Sequence, residues 1–428
     1  MYTSSSAFLE ALVEAGVSCM FVNLGSDHPA LVEAIAEARA AGRPIPRIIT
    51  CPFEMVALTA AHGHAMISGR PQAVVVHVDC GTQSLAGAVH NAARGRIPAI
   101  IYAGLSPATQ DGTVKGSRNE FIHWLQDIHD QRGLVSEYMR YTNEIRSPTH
   151  VKQIVNRALQ FATSEPQGPT YIVGAREVME QQAEPVRLDP AQWRPVRPAA
   201  LPPEDAAEII RLLEGARHPL VVTSFVGRDP ATVPELVRLC GRLGVAVLES
   251  VPCAMNFPHD HPLYQGSHWS GPVQNATLAE ADVVLVIDSD VPWIPSGNRP
   301  RAGAKVLHID IDPLKDSMPL WYIGAESSYR ANALTALRQL NAEARSLKLD
   351  EQRRAARQAH FAKAHAQRAQ RLRADEVPGE HISTQYLVAT LRKLAGEDAI
   401  PLNEGITNYP HIANHWAAAR PGSYFASG

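Results

Sequence analysis

Short apolar runs alternate with helix-like segments along the first 185 residues. The runs, rich in β-branched residues, predict strands at 17–25, 47–51, 73–79, 99–104 and 170–175. Between them, segments such as 27–42 repeat apolar residues at the helical period, with Asp27 and Pro29 placed to start a helix. Because strands that are apolar throughout are buried on both faces, the pattern predicts a parallel sheet covered by helices on both sides.

A second stretch of the same kind follows a proline-rich linker at 186–203. Its predicted strands are 219–226, 245–250, 283–290 and 305–312, and its predicted helices lie at about 204–215, 230–243 and 329–345. The chain is therefore expected to be an α/β protein with one parallel-sheet domain at 1–185 and a second, Rossmann-like domain at 204–345.

The remainder of the chain predicts a helical linker and the beginning of a third unit. Residues 346–378 are rich in Ala, Arg, Gln and Lys, which is typical of a solvated connecting helix. Residues 379–428 predict a helix at 381–396 and then a strand at 399–405. Since about fifty residues are roughly a third of a usual domain, we expect this unit to be truncated or completed by a second polypeptide.

Composition and charge exclude several classes of protein. The 428 residues carry a net charge of −3, so no basic field is present to recruit nucleic acid or an anionic membrane. No run of about eighteen apolar residues predicts a transmembrane helix, and the first residues lack the features of a signal peptide. The five cysteines are scattered without a C-x-x-C motif. This usage predicts a cytoplasmic protein with reduced thiols.

Two residues stand out as candidates for chemistry. Glu54 follows the second predicted strand and is flanked by apolar residues. A Glu in a first helical turn usually complements the helix dipole; the alternative is a partly buried carboxylate at the sheet edge where α/β folds place ligands. His77, predicted near the end of a strand, is either a satisfied core histidine or a catalytic acid/base.

Common motifs for other chemistries are absent from the sequence. It contains no P-loop, no G-x-G-x-x-G fingerprint and no G-x-S-x-G elbow. His62 and His64 are two residues apart, which places them on different faces of a helix and argues against a shared metal site. His259 and His261 are predicted to lie in a solvated loop.

Several short segments, in order, resemble one enzyme family. Asn23-Leu24-Gly25-Ser26 resembles Asn-Pro-Gly-Ser, and Glu54 is followed by small apolar residues. Residues 61–65 resemble A-D-G-Y-A, 76–82 resemble L-H-S-x-x-G-T, and 125–127 (Leu-Gln-Asp) resemble Phe-Gln-Glu. I-D-I-D-P stands at 309–313, and 403–408 and 420–425 are similar to the opening of a third domain. The chain thus resembles the thiamine-diphosphate-dependent enzymes of the acetolactate synthase and benzoylformate decarboxylase group.

The resemblance implies a function and a set of site residues. In that family a glutamate hydrogen-bonds N1′ of the cofactor's aminopyrimidine and so promotes removal of the thiazolium C2 proton; here this residue would be Glu54. Gly25 and Gly81 would contact the cofactor. His77 would transfer a proton or orient the substrate, and Ser26 and Gln126 would contact the substrate. The expected activity is a 2-oxo acid decarboxylase or carboligase, a lyase or transferase, in a homodimer or tetramer.

Some features depart from the family pattern. Leu24 replaces the proline, and Asp79 adds a negative charge near the expected site. The family holds Mg²⁺ and the diphosphate with G-D-G and a later Asn, and the sequence has no G-D-G. The resemblance thus implies that these ligands lie outside this chain, which alone would not hold the cofactor in the family's manner. The alternative hypothesis is a non-catalytic scaffold or regulatory subunit that keeps only the fold.

Overall fold

The computed structural model describes residues 1–268, 273–321 and 323–426. Its contacts divide the chain into two compact units, Met1–Arg197 and Pro198–Gly428. Each unit is built on a parallel sheet of six strands with helices on its faces. The α/β fold predicted from the sequence is therefore confirmed, whereas the five-part division proposed above stays a prediction.

The first unit carries a sheet in the order β2-β1-β3-β4-β6-β5, with every neighbouring pair parallel. Its strands are β1 Cys19–Val22, β2 Arg47–Thr50, β3 Gln72–Val76, β4 Ala99–Leu105, β5 Tyr141–Ile145 and β6 Pro169–Ala175. Its α-helices are α1 Ser4–Glu14, α2 Pro29–Ala40, α3 Glu54–Ser68, α4 Val78–Ser84, α5 Ala86–Arg94, α6 Ile122–Leu125, α7 Val151–Thr163 and α8 Arg176–Glu180.

Two apolar clusters cover the two faces of this sheet. On one face Phe8 and Leu12 of α1 pack with residues of α2 and α7. On the other face Leu58 of α3 packs with Val89 of α5. The central strands β3 and β4 are buried along almost their whole length, which explains why their sequences are apolar without alternation.

The second unit carries a sheet in the order β12-β11-β10-β7-β8-β9, again parallel. This is the strand order of the doubly wound Rossmann fold. Its strands are β7 Pro219–Thr223, β8 Ala246–Ser250, β9 Tyr264–His268, β10 Val283–Ile287, β11 Lys305–Asp310 and β12 Ser327–Arg330. Its α-helices are α9 Pro203–Gly215, α10 Thr232–Leu243, α11 Ala276–Glu280, α12 Ala333–Ser346, α13 Glu351–Asp375, α14 Thr384–Ala395 and α15 Tyr409–Trp416.

The last part of this unit adds a two-stranded parallel sheet, β13 Leu402–Asn403 with β14 Phe425–Ala426. The final two residues of the predicted third unit, 427–428, lie outside the described residues. Helix α13 matches the predicted connecting helix but is not solvated all round, because Phe361 is only 2% exposed and packs into the core of the second unit. Among the described residues, no helix combines the length and apolar character needed to cross a membrane.

Two expectations for the first unit were wrong in detail. The predicted strand 73–79 ends at Val76, and α4 begins at Val78. Asp27 does not cap α2, whose N-cap is His28 without a side-chain hydrogen bond. The two errors have one cause: the Asp27 carboxylate accepts a hydrogen bond from the backbone N–H of Val78 at 3.2 Å and so caps α4 instead.

Candidate functional site

The predicted site residues meet at the carboxyl ends of β1 and β3. In the strand order β2-β1-β3-β4, β1 lies between β2 on one side and β3 on the other. The strand order reverses direction at β1, so the carboxyl ends of β1 and β3 form the topological switch point of the sheet. The loop at 23–28 follows β1, and the segment at 77–81 follows β3. In open α/β sheets this crevice is where ligands bind.

Glu54 is the first residue of α3 and is 8% exposed. Its Oε1 atom accepts a hydrogen bond from Asn23 Nδ2 at 2.9 Å. The helix N-terminus and this amide both favour a carboxylate at the position. The Glu54 side chain, which follows β2, is thereby tied to the loop that follows β1.

Gly81 lies between Glu54 and His77. A Cβ atom built on Gly81 would come 3.2 Å from Glu54 Oε1 and 3.3 Å from the Cβ of His77. Such separations are tight for a methyl group. The absence of a side chain at Gly81 therefore keeps the space beside the Glu54 carboxylate open.

His77 stands at the N-cap of α4, against the backbone of Gly25. A Cβ atom on Gly25 would lie 2.2 Å from His77 Nδ1, well inside contact distance. The backbone of Gly25 thus closely approaches the imidazole of His77. Any larger residue at Gly25 would displace this ring.

Asp27 is the partner of His77 that sequence reasoning missed. The His77 Nδ1–H group donates to Asp27 Oδ1, and His28 Nδ1 lies 3.0 Å from the same oxygen. Asp27 is 3% exposed. The only signal in the sequence was an acidic residue in the loop after β1, and nothing local shows that it would turn toward a residue in a distant segment rather than toward α2.

The Asp27 carboxyl and the His77 imidazole favour each other's charged forms. Burial by itself would raise the pKa of Asp27, but the charges and hydrogen bonds of His28 and His77 outweigh it and hold the pKa far below its usual value. Burial by itself would lower the pKa of His77, but the hydrogen bond and charge of Asp27 outweigh it, so the pKa is raised. The Asp27 carboxyl and the His77 imidazole are therefore held together by charge as well as by a hydrogen bond.

Gln126 holds the other side of the imidazole. Its Oε1 atom lies 2.9 Å from His77 Nε2, and its Nε2–H donates to Cys80 Sγ at 3.3 Å. The backbone carbonyl of Gln126 accepts from Ser106 Oγ at 2.6 Å, which fixes the turn after α6. The structure thus brings Gln126 and His77 together, as expected for residues of one site.

Three polar atoms in this region are buried and have no hydrogen-bond partner among the described residues. They are the Oγ atom of Ser26, the Nε2 atom of His28 and the Oδ1 atom of Asp79. Buried polar atoms in folded proteins normally have a hydrogen-bond partner. An atom without one marks a position where a ligand can provide the missing hydrogen bond. Asp79 lies in the first turn of α4, a position where acidic side chains are common.

Two family models match this chain. "Thiamine pyrophosphate enzyme, N-terminal TPP binding domain" matches residues 2–134, and "Thiamine pyrophosphate enzyme, central domain" matches residues 206–337. The first match contains every site residue described above, and the second contains most of the six-stranded sheet of the second unit. Together they span more than half of the chain.

Curated relatives agree with these matches. Sulfoacetaldehyde acetyltransferase of Alcaligenes xylosoxydans xylosoxydans is 26% identical over 324 residues, covering 72% of this chain and 49% of the relative. Acetolactate synthase 1, chloroplastic, of Oryza sativa subsp. japonica is 25% identical over 438 residues, covering 98% of this chain and 63% of the relative. The chain thus spans about half to two-thirds of the length of these relatives.

A solved structure shares the fold. Benzoylformate decarboxylase from Polynucleobacter necessarius aligns with a TM-score of 0.77 and 16% identity, covering 100% of this chain and 74% of that one. Both matched domains, the relatives and the two six-stranded parallel sheets lead to the same conclusion: this chain belongs to the thiamine pyrophosphate enzymes, whose N-terminal and central domains it carries.

Proposed function

We propose that this chain supplies the aminopyrimidine side of a thiamine-diphosphate-dependent enzyme that acts on 2-oxo acids as a decarboxylase or carboligase. The observation that carries the proposal is the Glu54 carboxylate, held by Asn23 at 2.9 Å and left accessible by the missing side chain of Gly81. When bound, the cofactor supplies the electron sink that this chemistry requires.

Glu54 is proposed to hold and exchange a proton with N1′ of the aminopyrimidine. A carboxylate that is 8% exposed is shielded from water, so a hydrogen bond to a ring nitrogen is stronger there than at the surface. Gly81 leaves room for the aminopyrimidine ring beside the Glu54 carboxylate. Gly25 lies in the same crevice, where its backbone contacts His77. These residues therefore fit the aminopyrimidine end of the cofactor.

His77 is proposed to hold a proton for the substrate. Its imidazolium form is stabilised by Asp27, and its Nε2 atom lies beside Gln126. A cationic ring in the crevice attracts the carboxylate of a 2-oxo acid and can donate a proton to a developing oxyanion. Ser26, whose buried Oγ has no partner among the described residues, is proposed to contact the same substrate.

The alternative hypothesis of a non-catalytic scaffold is less well supported. A scaffold that keeps only the fold has no need of a buried carboxylate with an open space beside it, or of a charged pair in the same crevice. Both are costly features in stability terms, because buried charges must be paired to be tolerated. Their presence favours a catalytic role for this edge of the sheet.

A second subunit is proposed to cover the site. Exposed apolar side chains surround it: Leu24, Phe53, Met55, Val56, Phe121, Trp124 and Leu125 are each between 36% and 77% exposed. Clusters of this kind mark interaction surfaces. We propose a homodimer or tetramer of this chain, together with a second polypeptide that supplies the residues that hold the diphosphate and its Mg²⁺.

The test compares the protein with its Glu54→Gln variant, each assembled with the polypeptide that supplies the diphosphate-binding residues. Both are supplied with thiamine diphosphate, Mg²⁺ and a panel of 2-oxo acids, and release of carbon dioxide is measured. We expect the wild type to consume at least one acid, and the variant to be slower by about 10²–10⁴-fold, the range of a lost acid/base group. Failure to consume any 2-oxo acid contradicts the substrate class, and an unchanged rate in the variant favours the scaffold.

A further inference from the structure

Three potential metal ligands meet on the second unit, in a place that the proposed function does not use. They are His218, Glu280 and His360, and their ligand atoms all lie within 4.8 Å of one another. His360 Nε2 and Glu280 Oε2 are 3.1 Å apart. His218 directly precedes β7, Glu280 ends α11, and His360 lies within α13.

The backbone near each histidine is held in place. The amide of His218 donates to Asp282 Oδ1 at 2.8 Å. Helix α13 is fixed near His360 by the guanidinium of Arg357, which donates to the carbonyl of Leu243 at 3.0 Å. The three side chains therefore meet without a change of fold, which is the condition for a preorganised metal site.

The two imidazole rings are also positioned by packing. Their centroids are 4.9 Å apart with an interplanar angle of 58°. The ring of Phe361, which is 2% exposed, lies edge-on to both, at 6.3 Å from His218 and 5.2 Å from His360. On the side that faces the core, the buried Phe361 ring limits the two imidazole rings to a small range of orientations.

We propose that His218, Glu280 and His360 bind a divalent transition-metal ion, with Zn²⁺ as the ion that best suits two imidazoles and one carboxylate. Bonds of about 2.0–2.2 Å in a tetrahedral site place neighbouring ligand atoms about 3.4 Å apart. The ligand atoms of His360 and Glu280 are already near that separation. The ligand atom of His218 would have to approach each of them by at most about 1.5 Å. Glu280 and His360 are half exposed, so their side chains have the freedom to rotate.

Binding of the ion would join α13 to the sheet. His360 belongs to α13, whereas His218 and Glu280 belong to the β7 and α11 regions. An ion shared among them would therefore stabilise the docked position of this long helix, and any ligand that binds only the folded state raises its stability. The fourth coordination position would face solvent and hold water.

A second group with similar spacing is not part of this proposal. Asp27, His28 and His77 also offer ligand atoms within 4.8 Å of one another. They belong to the site of the first unit, where Asp27 and His77 already form a hydrogen-bonded ion pair. The experiment must therefore separate the two groups by variants rather than by metal content alone.

The test measures Zn²⁺ binding by calorimetry to metal-free, full-length protein. The variants are His360→Gln and Glu280→Gln, with His381→Gln as the control, because His381 is exposed and lies outside the cluster. We expect wild type and control to bind one Zn²⁺ that the cluster variants bind at least about 10-fold more weakly. Zn²⁺ should also raise the melting temperature of wild type and control more than that of the variants.

Co²⁺ provides an independent readout of the coordination. Its visible absorption should report a four-coordinate site in wild type and control, and this band should be lost in His360→Gln. Equal Zn²⁺ affinity in wild type and His360→Gln would overturn the proposal, as would Zn²⁺ binding that is insensitive to both cluster variants. Since neither variant touches the first unit, the result is independent of the proposed enzyme activity.

Discussion

The Asp27 carboxylate accepts a hydrogen bond from His77 Nδ1, although the two residues are fifty positions apart in the chain. The opposite nitrogen of the ring lies 2.9 Å from Gln126 Oε1. An acceptor on each side of the ring favours the imidazolium form, in line with the raised pKa of His77. The two contacts also fix the orientation of the ring beside the crevice that contains Glu54.

Replacing Asp27 with Asn should lower the pKa of His77. The amide keeps the size of the side chain and removes the charge that opposes the effect of burial. Titration of the His77 ring followed by NMR measures this directly, with His150 as an internal reference outside the site. A pKa of His77 that stays unchanged in Asp27→Asn would show that the carboxylate does not set the charge of the ring.

The same substitution should destabilise the protein in a pH-dependent way, by about 1.5–3 kcal/mol where the pair is ionised. His77 has a raised pKa, so its contribution is complete below its unfolded value near 6.5 and is lost as the pH rises through the folded pKa. Asp27 has a lowered pKa, so its contribution is present above about 3.9 and is lost as the pH falls. Urea unfolding should show a larger difference between wild type and variant at pH 5.5 than at pH 9.

Replacing Gly25 with Ala should displace the His77 ring. The added methyl would lie 2.2 Å from Nδ1, so the imidazole must move and its bond to Asp27 must weaken. We expect lower activity and a lower pKa of His77. The matched control is Gly63→Ala, because a Cβ on Gly63 meets nothing within 4 Å and an alanine inside α3 adds helix propensity.

The control should be neutral, or more stable than wild type by up to about 1 kcal/mol. Equal effects of Gly25→Ala and Gly63→Ala on activity and on the His77 titration would argue against the close contact between Gly25 and the ring.

Replacing Gly81 with Ala should weaken cofactor binding more than it weakens the fold. The methyl group would sit 3.2 Å from Glu54 Oε1 and fill the space beside the carboxylate, while α4 accepts an alanine readily. Calorimetric titration of thiamine diphosphate into the protein assembled with the polypeptide that supplies the diphosphate-binding residues measures the affinity, and urea unfolding of this chain measures the stability. Unchanged affinity in Gly81→Ala would mean that the cofactor does not use this space.

Replacing Glu249 with Gln should strongly destabilise the second unit, by about 3 kcal/mol. The buried Glu249 carboxylate accepts hydrogen bonds from the Asn256 backbone at 2.9 Å, from His259 at 3.1 Å and from the Tyr264 hydroxyl at 2.9 Å. Burial would raise its pKa, but His259 and Asn256 outweigh burial and lower it. The difference in unfolding free energy between wild type and Glu249→Gln should therefore be complete at pH 7 and should shrink as the pH falls below about 4.

The control for this measurement is Glu208→Gln, whose half-exposed side chain makes a surface ion pair with Arg211. Its cost should stay below about 1 kcal/mol. Similar unfolding free energies for the two variants at pH 7 would contradict the structural role of the Glu249 network.

The sequence predicted the parts of the fold in which burial dictates composition. The strands β3, β4 and β10 are buried along their length, and their apolar runs marked them clearly. The edge strands β5, β9 and β12 were missed because each is at least partly exposed and carries polar residues, as in Ser327–Arg330. For such strands the apolar signal is weak, and only pairing in three dimensions reveals them.

The polar contacts were harder to predict than the site itself. The position of Glu54 at a strand-to-helix turn was evident from the chain, because the turn is local. The pairing of Asp27 with His77 was not, because it depends on two loops that the parallel sheet brings together. His259 shows the same limit: it was expected to be solvated and is instead buried against Glu249.

The central claim is that Glu54 activates the cofactor, and proton exchange at thiazolium C2 tests it most directly. The protein and its Glu54→Gln variant, each assembled with the polypeptide that supplies the diphosphate-binding residues, are saturated with thiamine diphosphate and Mg²⁺ and transferred to D₂O. Loss of the C2 proton is followed by quenched-flow NMR. The account predicts that exchange slows by at least about 100-fold in the variant while the cofactor remains bound. An exchange rate equal to that of the wild type, with the cofactor bound, would contradict it.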